Sequence, residues 1–224
     1  AIDTETSGKD PRCATLFGIS LSVKEEQAYF VPMVQTDLDG ISTEEVRSRL
    51  NKVLSRNLKL VGHNLKYDFA VLQRNGFDPQ VLYFDTMLAS YDCFGDWEFW
   101  NLAAVAKKLL GVSVRRYRDI VGDGETFLDR PFKELVDHAC SDADVALRLH
   151  GVLSRELRKR RIEQRFVDVT MQVERFLIDC ERDGVCVDTR RMERVRDAAK
   201  IGVDALRASE FASAGVEFDI DSPK

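Results

Sequence analysis

The chain has 224 residues, of which 44% are hydrophobic and 32% are charged, so it can bury a sizeable core beneath a polar surface. This composition excludes a disordered or collagen-like protein, and no apolar run reaches the roughly 20 residues that span a bilayer. The formal net charge of −5 argues against a protein that coats DNA through general basic charge. The five cysteines form no C-x-x-C pair, which predicts reduced thiols in an intracellular, cytoplasmic protein.

The hydrophobic pattern predicts strands that alternate with helices over the first 160 residues. Residues 13–23 and 28–33 favour a β-hairpin around the charged turn at 24–27, and the opening residues 1–3 would add a third antiparallel strand. The capping box at Ser42 and Glu45 begins a helix. Two more strands are predicted at 58–61 and 81–84, and further helices at 64–75, 87–91 and 102–110.

A long amphipathic helix begins after Pro131 and continues to about residue 161. Beyond it the pattern changes to two helical stretches, at 166–182 and 191–211. We therefore predict an α/β (α+β) domain with a mixed sheet over residues 1–161, followed by a helical segment over residues 162–224.

Carboxylates stand at three points where the predicted elements could bring them together. Asp3 and Glu5 are two residues apart near the end of the first strand, where alternate side chains share a face. Asp68 falls in the first turn of the helix that follows the fourth strand, at the edge where ligands gather in α/β proteins. A solvated strand end and a helix-dipole position are the alternatives for these residues.

His138 and Asp142 are four residues apart on the long helix and therefore share one face. Asp142 has the apolar neighbours Ala139, Val145 and Ala146. A carboxylate among them would be costly to bury without a cation beside it. A lone helical histidine is more often a surface or core residue, and that alternative stays open.

Four segments resemble the motifs of a known family: DTET, GHNLKYD, FDTMLASY and ACSDADVALRLH, at 3–6, 62–68, 84–91 and 139–150. They are similar to the exonuclease motifs in the proofreading domain of the family A DNA polymerases, the DNA polymerase I family. The segment VERFLIDCERDGVCVDTRRMERV resembles the start of the polymerase domain in these enzymes, and DIDSPK resembles the stretch that leads into its thumb. The resemblance thus implies a fragment that stops before any polymerase catalytic motif.

The resemblance implies a ribonuclease-H-like fold with a mixed five-stranded sheet and a metal-dependent DEDD-type 3′-5′ exonuclease. The enzyme would release nucleoside monophosphates from single-stranded or frayed DNA, and its partners would be DNA and the remainder of its own polymerase chain. It would be a monomer without membrane contact. Four carboxylates match the family without a gap and would hold two divalent ions, Mg²⁺ or Mn²⁺: Asp3, Glu5, Asp68 and Asp142. Asp3, Glu5 and Asp142 would bind one ion, and Asp3 would bridge to the second, which Asp68 would reach through water.

Two positions depart from the family pattern. His138 stands where proofreading members carry a tyrosine that orients the attacking water. Because an ordinary imidazole has a pKa near 6.5, it could accept a proton from that water, and a weakened site is the alternative. Lys9 stands where relatives usually have leucine, and we expect it to contact a phosphate. Further substrate contacts are assigned to Thr4, Thr6, Asn64, Lys66 and Tyr67, whereas Asp85 and Thr86 are expected to be structural.

Basic residues could line a groove for single-stranded DNA at 107–108 and 115–118, with the rings of Phe94, Trp97, Phe99 and Trp100 nearby, although such charge runs are usually solvated faces.

Two other functions remain open. A catalytically silent scaffold could brace the polymerase domain, but all four carboxylates are retained. An RNA 3′-end trimming enzyme of the ribonuclease D type would share the carboxylates, but its C-terminal third would not resemble the start of a polymerase.

Overall fold

The structure, a computed structural model, describes residues 1–34, 42–116, 119–120 and 129–220. Two units separate along the chain, Ala1–Asp183 and Gly184–Lys224. The first unit begins with three strands, β1 Ile2–Thr6, β2 Leu16–Lys24 and β3 Gln27–Pro32. β1 pairs antiparallel with β2, and β2 pairs antiparallel with β3, which confirms the predicted three-stranded unit. Because β1 extends to Thr6, it carries both Asp3 and Glu5.

Helices and parallel strands alternate after β3. Helix α1 Thr43–Leu54 begins at the predicted cap, where the Ser42 hydroxyl accepts a hydrogen bond from Glu45 N. Strands β4 Lys59–Gly62 and β5 Val81–Asp85 pair in parallel and enclose α2 Leu65–Arg74. Helices α3 Thr86–Cys93 and α4 Leu102–Leu109 follow. The parallel pair brings the ends of β4 and β5 to one edge, so α2 and α3 both begin there.

The expected α/β class is confirmed, but the expected five-stranded sheet is divided in the described residues. The strand pairing falls into a group of three, β1 to β3, and a group of two, β4 and β5. The two groups are adjacent, since a Cβ added at Gly62 on β4 would lie 3.3 Å from the carbonyl oxygen of Ile2 on β1. One reason for the division is that Thr4 N of β1 donates to the Asp68 carboxylate.

Helix α5 Phe132–Lys159 is the long helix predicted after Pro131, and it packs across β1, β2, β3 and β4. Its buried face carries nine residues at helical spacing: Leu135, His138, Ala139, Ala143, Val145, Ala146, Leu149, Leu153 and Leu157. Small residues occupy its middle, where Ala139 and Ala143 are fully buried. They let the helix approach the sheet closely at the level of Asp142.

The first unit continues past residue 161, where the sequence places the end of the first domain. Helix α6 Glu163–Arg165, a π-helical turn over Phe166–Thr170 and α7 Met171–Asp183 all belong to it. Phe166 is fully buried and contacts Phe84 of β5 at 4.9 Å between ring centroids. The spacing of apolar residues predicts helices here but cannot show that they pack on β5 and α2.

The second unit contains α8 Thr189–Ala214. Asp188 caps its first turn by accepting a hydrogen bond from Arg191 N at 3.0 Å. Gly215 ends the helix with a positive φ of 71°, which glycine adopts without steric cost. Among the described helices of both units, none combines the length and apolarity that a membrane crossing requires.

Candidate active site

Four carboxylates from three elements interact electrostatically in the first unit. Asp3 and Glu5 lie on β1, Asp68 in the first turn of α2 and Asp142 in the middle of α5. Burial and the charges of the other three carboxylates raise the pKa of Glu5 to about 9. Charges act this strongly only over short distances, so the fold has gathered residues that are up to 139 positions apart.

The pKa values of the other three carboxyl groups are raised as well. Burial raises the pKa of Asp3 to about 7. Burial and the charge of Asp3 raise the pKa of Asp142 to about 9, and the same two causes raise the pKa of Asp68 well above its usual value. Without a cation, the group therefore holds protons at neutral pH, because like charges close together in a buried site cannot all ionise.

Asp68 is held in place by β1. Its Oδ1 accepts hydrogen bonds from Thr4 N at 2.9 Å and from the Thr4 hydroxyl at 2.6 Å. Asp68 is buried, and these two bonds stabilise its charged form against the desolvation that burial causes. Thr4, which the sequence assigns to substrate contact, therefore fixes a carboxylate in this structure.

The chemistry of the four carboxylate side chains suits a hard divalent cation. All four side chains offer oxygen, the ligand that Mg²⁺ and Mn²⁺ prefer. Asp142 Oδ1 is buried and has no hydrogen-bond partner, which is costly unless a cation satisfies it. As the side chains stand, no three metal-binding groups in the described part of the chain are arranged to hold an ion.

His138 lies one turn before Asp142 on α5 and on the same face of the helix. Its Nδ1 lies 3.7 Å from Asp142 Oδ1, and the imidazole is buried. Burial, with a smaller contribution from the charge of Arg115, lowers the pKa of His138 to about 4. The pKa of His138 is thus lower than the ordinary imidazole value near 6.5. The ring is neutral at pH 7 and is a weaker base than expected.

The turn after β1 is tied to α2 through Tyr67. The Tyr67 hydroxyl donates to the carbonyl oxygen of Gly8 and also contacts the Thr6 hydroxyl, which lies 3.1 Å from the same carbonyl oxygen. Lys9 follows directly and is exposed, as is Asn64 at the start of α2. Thr6 and Tyr67 thus shape this turn, whereas Lys9 and Asn64 are exposed to solvent.

Lys66, another predicted substrate contact, binds two residues of α7. Its ammonium group forms an ion pair with Glu181, and its backbone N–H donates to Glu174 Oε1 at 3.2 Å. Glu174 was not among the residues predicted for the site. A signal was present, because the spacing of Met171, Glu174 and Ile178 places a carboxylate on the buried face of an amphipathic helix.

Asp85 and Thr86 are structural, as expected. The buried Asp85 carboxylate accepts from four backbone N–H groups, two at the start of α2 and two at the start of α3: Asn64, Leu65, Met87 and Leu88. The Thr86 hydroxyl donates to the carbonyl oxygen of Gly62 at 2.9 Å. One carboxylate thus fixes the first turn of both helices at the edge beside Asp68.

The predicted stacking rings are partly covered. Phe94 and Trp97 stack on each other with centroids 4.4 Å apart. Lys108 lies over Trp97 at 4.4 Å and Arg160 over Phe94 at 4.6 Å, so cations already contact both rings. Phe99 is 55% exposed and remains open to a base. Of the predicted basic segment 115–118, residues 117 and 118 lie outside the described residues.

Comparison with known protein sequences identifies relatives along the whole chain. The profile of a family described as 3′-5′ exonuclease matches residues 1–158. The chain is 32% identical to DNA polymerase I of Pseudomonas aeruginosa over 235 aligned positions, and 28% identical to DNA polymerase I of Borreliella burgdorferi over 224. Each match covers 100% of this chain but only 26% and 25% of the relative, so the chain spans about a quarter of these proteins.

Solved structures share the fold at lower identity. The polymerase domain of Pol1 from M. smegmatis, in complex with a DNA primer-template and dNTP, superposes with a TM-score of 0.73 at 16% identity. That match covers 99% of this chain and 35% of the other. Brucella melitensis NrnC with bound Mg²⁺ gives a TM-score of 0.60 at 21% identity, over 100% of this chain and 89% of the other.

Proposed function

Because this chain belongs to the 3′-5′ exonuclease family, we propose that it removes nucleotides from the 3′ end of single-stranded or frayed DNA as the proofreading module of a DNA polymerase I. The observation that carries this proposal is the group of four carboxylates on β1, α2 and α5, two buried (Glu5 and Asp68) and two half-buried (Asp3 and Asp142), whose pKa values are all raised. Such a group is destabilising by itself and becomes useful when it binds cations beside a phosphodiester.

The group is proposed to hold two divalent ions, Mg²⁺ or Mn²⁺. Asp3, Glu5 and Asp142 would bind one ion, while Asp3 and a water held by Asp68 would bind the other. Support comes from the unpartnered Asp142 Oδ1 and from a structural neighbour that has Mg²⁺ bound. When bound, such a pair of ions activates a water and stabilises the leaving 3′ oxygen.

The chain's own residues orient the water and the DNA end. His138 is neutral at pH 7, so one ring nitrogen can accept a hydrogen bond from the attacking water beside Asp142. With a pKa of about 4, the imidazole orients that water better than it deprotonates it. Thr6 and Tyr67 hold the turn that presents Lys9, whose ammonium group contacts a backbone phosphate.

The proposal is tested with a 5′-labelled single-stranded DNA in Mg²⁺ or Mn²⁺, with EDTA as the metal-free control. We expect a ladder that shortens from the 3′ end, and Asp142→Asn should reduce the rate by about 1,000-fold because an amide cannot replace a charged ligand. Asp144→Asn is the matched control, since that carboxylate, two residues further along α5, accepts a hydrogen bond from Glu26 N. It should change the rate less than about threefold.

Two outcomes of the same assay would contradict the proposal. A folded chain that binds DNA but cleaves nothing with either metal would support the silent scaffold. Faster degradation of an RNA of the same sequence would instead support a ribonuclease D-type enzyme. Monomeric state and a cytoplasmic location remain predictions.

A further inference from the structure

The start of α2 is held from outside the residues that match the exonuclease family. The first N–H groups of a helix have no partner within the helix and need acceptors from elsewhere. Lys66, the second residue of α2, donates its N–H to Glu174 Oε1 at 3.2 Å. Glu174 is only 4% exposed and lies on α7, beyond the family match at 1–158.

Two carboxyl groups together satisfy three consecutive N–H groups at this helix end. Asp85 accepts from Asn64 N at 3.2 Å and Leu65 N at 2.6 Å, and Glu174 accepts from the next residue. The Glu174 carboxyl group is within hydrogen-bonding reach of Asp85, and its Oε2 is buried without another partner. A proton shared between Glu174 and Asp85 would give the Glu174 carboxyl group a second hydrogen bond.

The raised pKa of Glu174 agrees with a proton shared between Glu174 and Asp85. Burial and the neighbouring Asp85 charge raise the pKa of Glu174 to about 9, so its carboxyl group is neutral at pH 7. The group then acts as both acceptor and donor, as a glutamine side chain would. Helix α7 contacts Lys66 a second time through the ion pair of Glu181 with the ammonium group.

We infer that Glu174 is a positioning residue of the nuclease site, which holds the first turn of α2 so that Asp68 stays beside β1. Asp68 lies two residues after Lys66, in the same turn, and its carboxylate meets Thr4 at 2.6 and 2.9 Å. A small displacement of that turn would break both bonds and move the carboxylate out of the group. The catalytic part of this inference rests on the proposed exonuclease function.

The test compares three variants of the whole chain. Glu174→Ala removes both hydrogen bonds, Glu174→Gln keeps an acceptor for Lys66 and a donor for Asp85, and Ile178→Ala removes buried apolar packing from the same helix without touching these bonds. Amide hydrogen exchange is measured over residues 62–68, and kcat and KM are measured on single-stranded DNA with Mg²⁺.

We expect Glu174→Ala to speed amide exchange over 62–68 at least about tenfold and to lower kcat about tenfold with KM unchanged, because positioning acts on the reacting geometry. Glu174→Gln should behave like the parent chain in both measurements, and Ile178→Ala should leave kcat within about threefold.

The inference is overturned if Glu174→Ala leaves exchange over 62–68 unchanged, or if Ile178→Ala lowers kcat as strongly. A parent chain without nuclease activity would refute the proposed function instead. In that case the exchange measurement would still decide whether Glu174 holds α2.

Discussion

At the scale of single residues, protons would compete with the proposed cations for the same four carboxylates. Asp3, Glu5 and Asp142 have pKa values raised to about 7, 9 and 9, and Asp68 is raised as well. Unfolded, these groups would titrate near 4. The folded, metal-free chain therefore binds protons more tightly than the unfolded chain, and metal binding at the proposed site would release them.

The first residue-scale prediction concerns stability against pH without metal. A carboxyl group whose pKa is raised on folding contributes stability that is full below pH 4 and is lost as the pH rises through its folded value. In EDTA, we expect the free energy of unfolding to fall by about 2 kcal/mol or more between pH 5 and pH 9. Urea denaturation at each pH measures this free energy of unfolding.

Stability measurements on a variant and with added Mg²⁺ distinguish the four carboxylates from other residues that titrate in this pH range. Asp142→Asn should flatten the pH dependence, because it removes one raised carboxyl group and one source of repulsion. Mg²⁺ should add more stability at pH 8 than at pH 5.5, since fewer protons then need to leave. Equal stabilisation by Mg²⁺ at both pH values would contradict a buried carboxylate site.

The second residue-scale prediction concerns His138. Because the pKa of His138 is lowered to about 4, its charge does not change between pH 6 and pH 8. His138→Ala should lower kcat about 100-fold through loss of water orientation. The ratio of parent to His138→Gln rates should stay constant from pH 6 to pH 8. A ratio that falls below pH 6.5 would show an imidazole that gains its proton at the ordinary pKa.

At the scale of elements, the local pattern predicted most helices and strands, and it placed Asp68 in the first turn of α2. The capping box at Ser42 and the structural role of Asp85 were also predicted, because caps act over a few residues of chain. The division of the strands into three and two was not predicted. One reason for it is that the Thr4 N–H donates to the side chain of Asp68, 64 residues away, instead of to a neighbouring strand.

Contacts between elements also changed the expected roles of several side chains. Thr4 binds Asp68, Thr6 and Tyr67 hold the turn at Gly8, and Lys66 is engaged by α7. Each of these polar side chains is equally compatible with DNA contact in the sequence alone. A polar residue beside a motif can serve the substrate or the protein, and only its neighbours in space distinguish the two.

At the scale of the whole molecule, the family match ends at residue 158 but the packed unit ends at Asp183. The residues between them supply three buried apolar side chains, Phe166, Met171 and Ile178, besides Glu174. Burying a large apolar side chain contributes about 1.5–3 kcal/mol, so this segment supplies a substantial part of the stability of a domain.

A truncation pair tests where the folding unit ends. Residues 1–161 follow the boundary predicted from the sequence, and residues 1–183 follow the packing. We expect 1–183 to unfold cooperatively and 1–161 to melt at least about 10 °C lower, because Phe84 loses Phe166 and α2 loses Glu174. Thermal unfolding by circular dichroism measures both. Equal melting temperatures would place the end of the unit at the shorter boundary.

The sequence by itself determined the α/β class and the chain order of the elements, because these depend on spacing within short segments, and its motifs carried the resemblance that implies the family and the four carboxylates. Only the tertiary structure decided how the carboxylates shift one another's pKa values, that burial lowers the pKa of His138, and that Glu174 and Glu181 of α7 contact Lys66 of α2. Burial and charge interactions depend on distances between residues far apart along the chain, and no local pattern contains those distances.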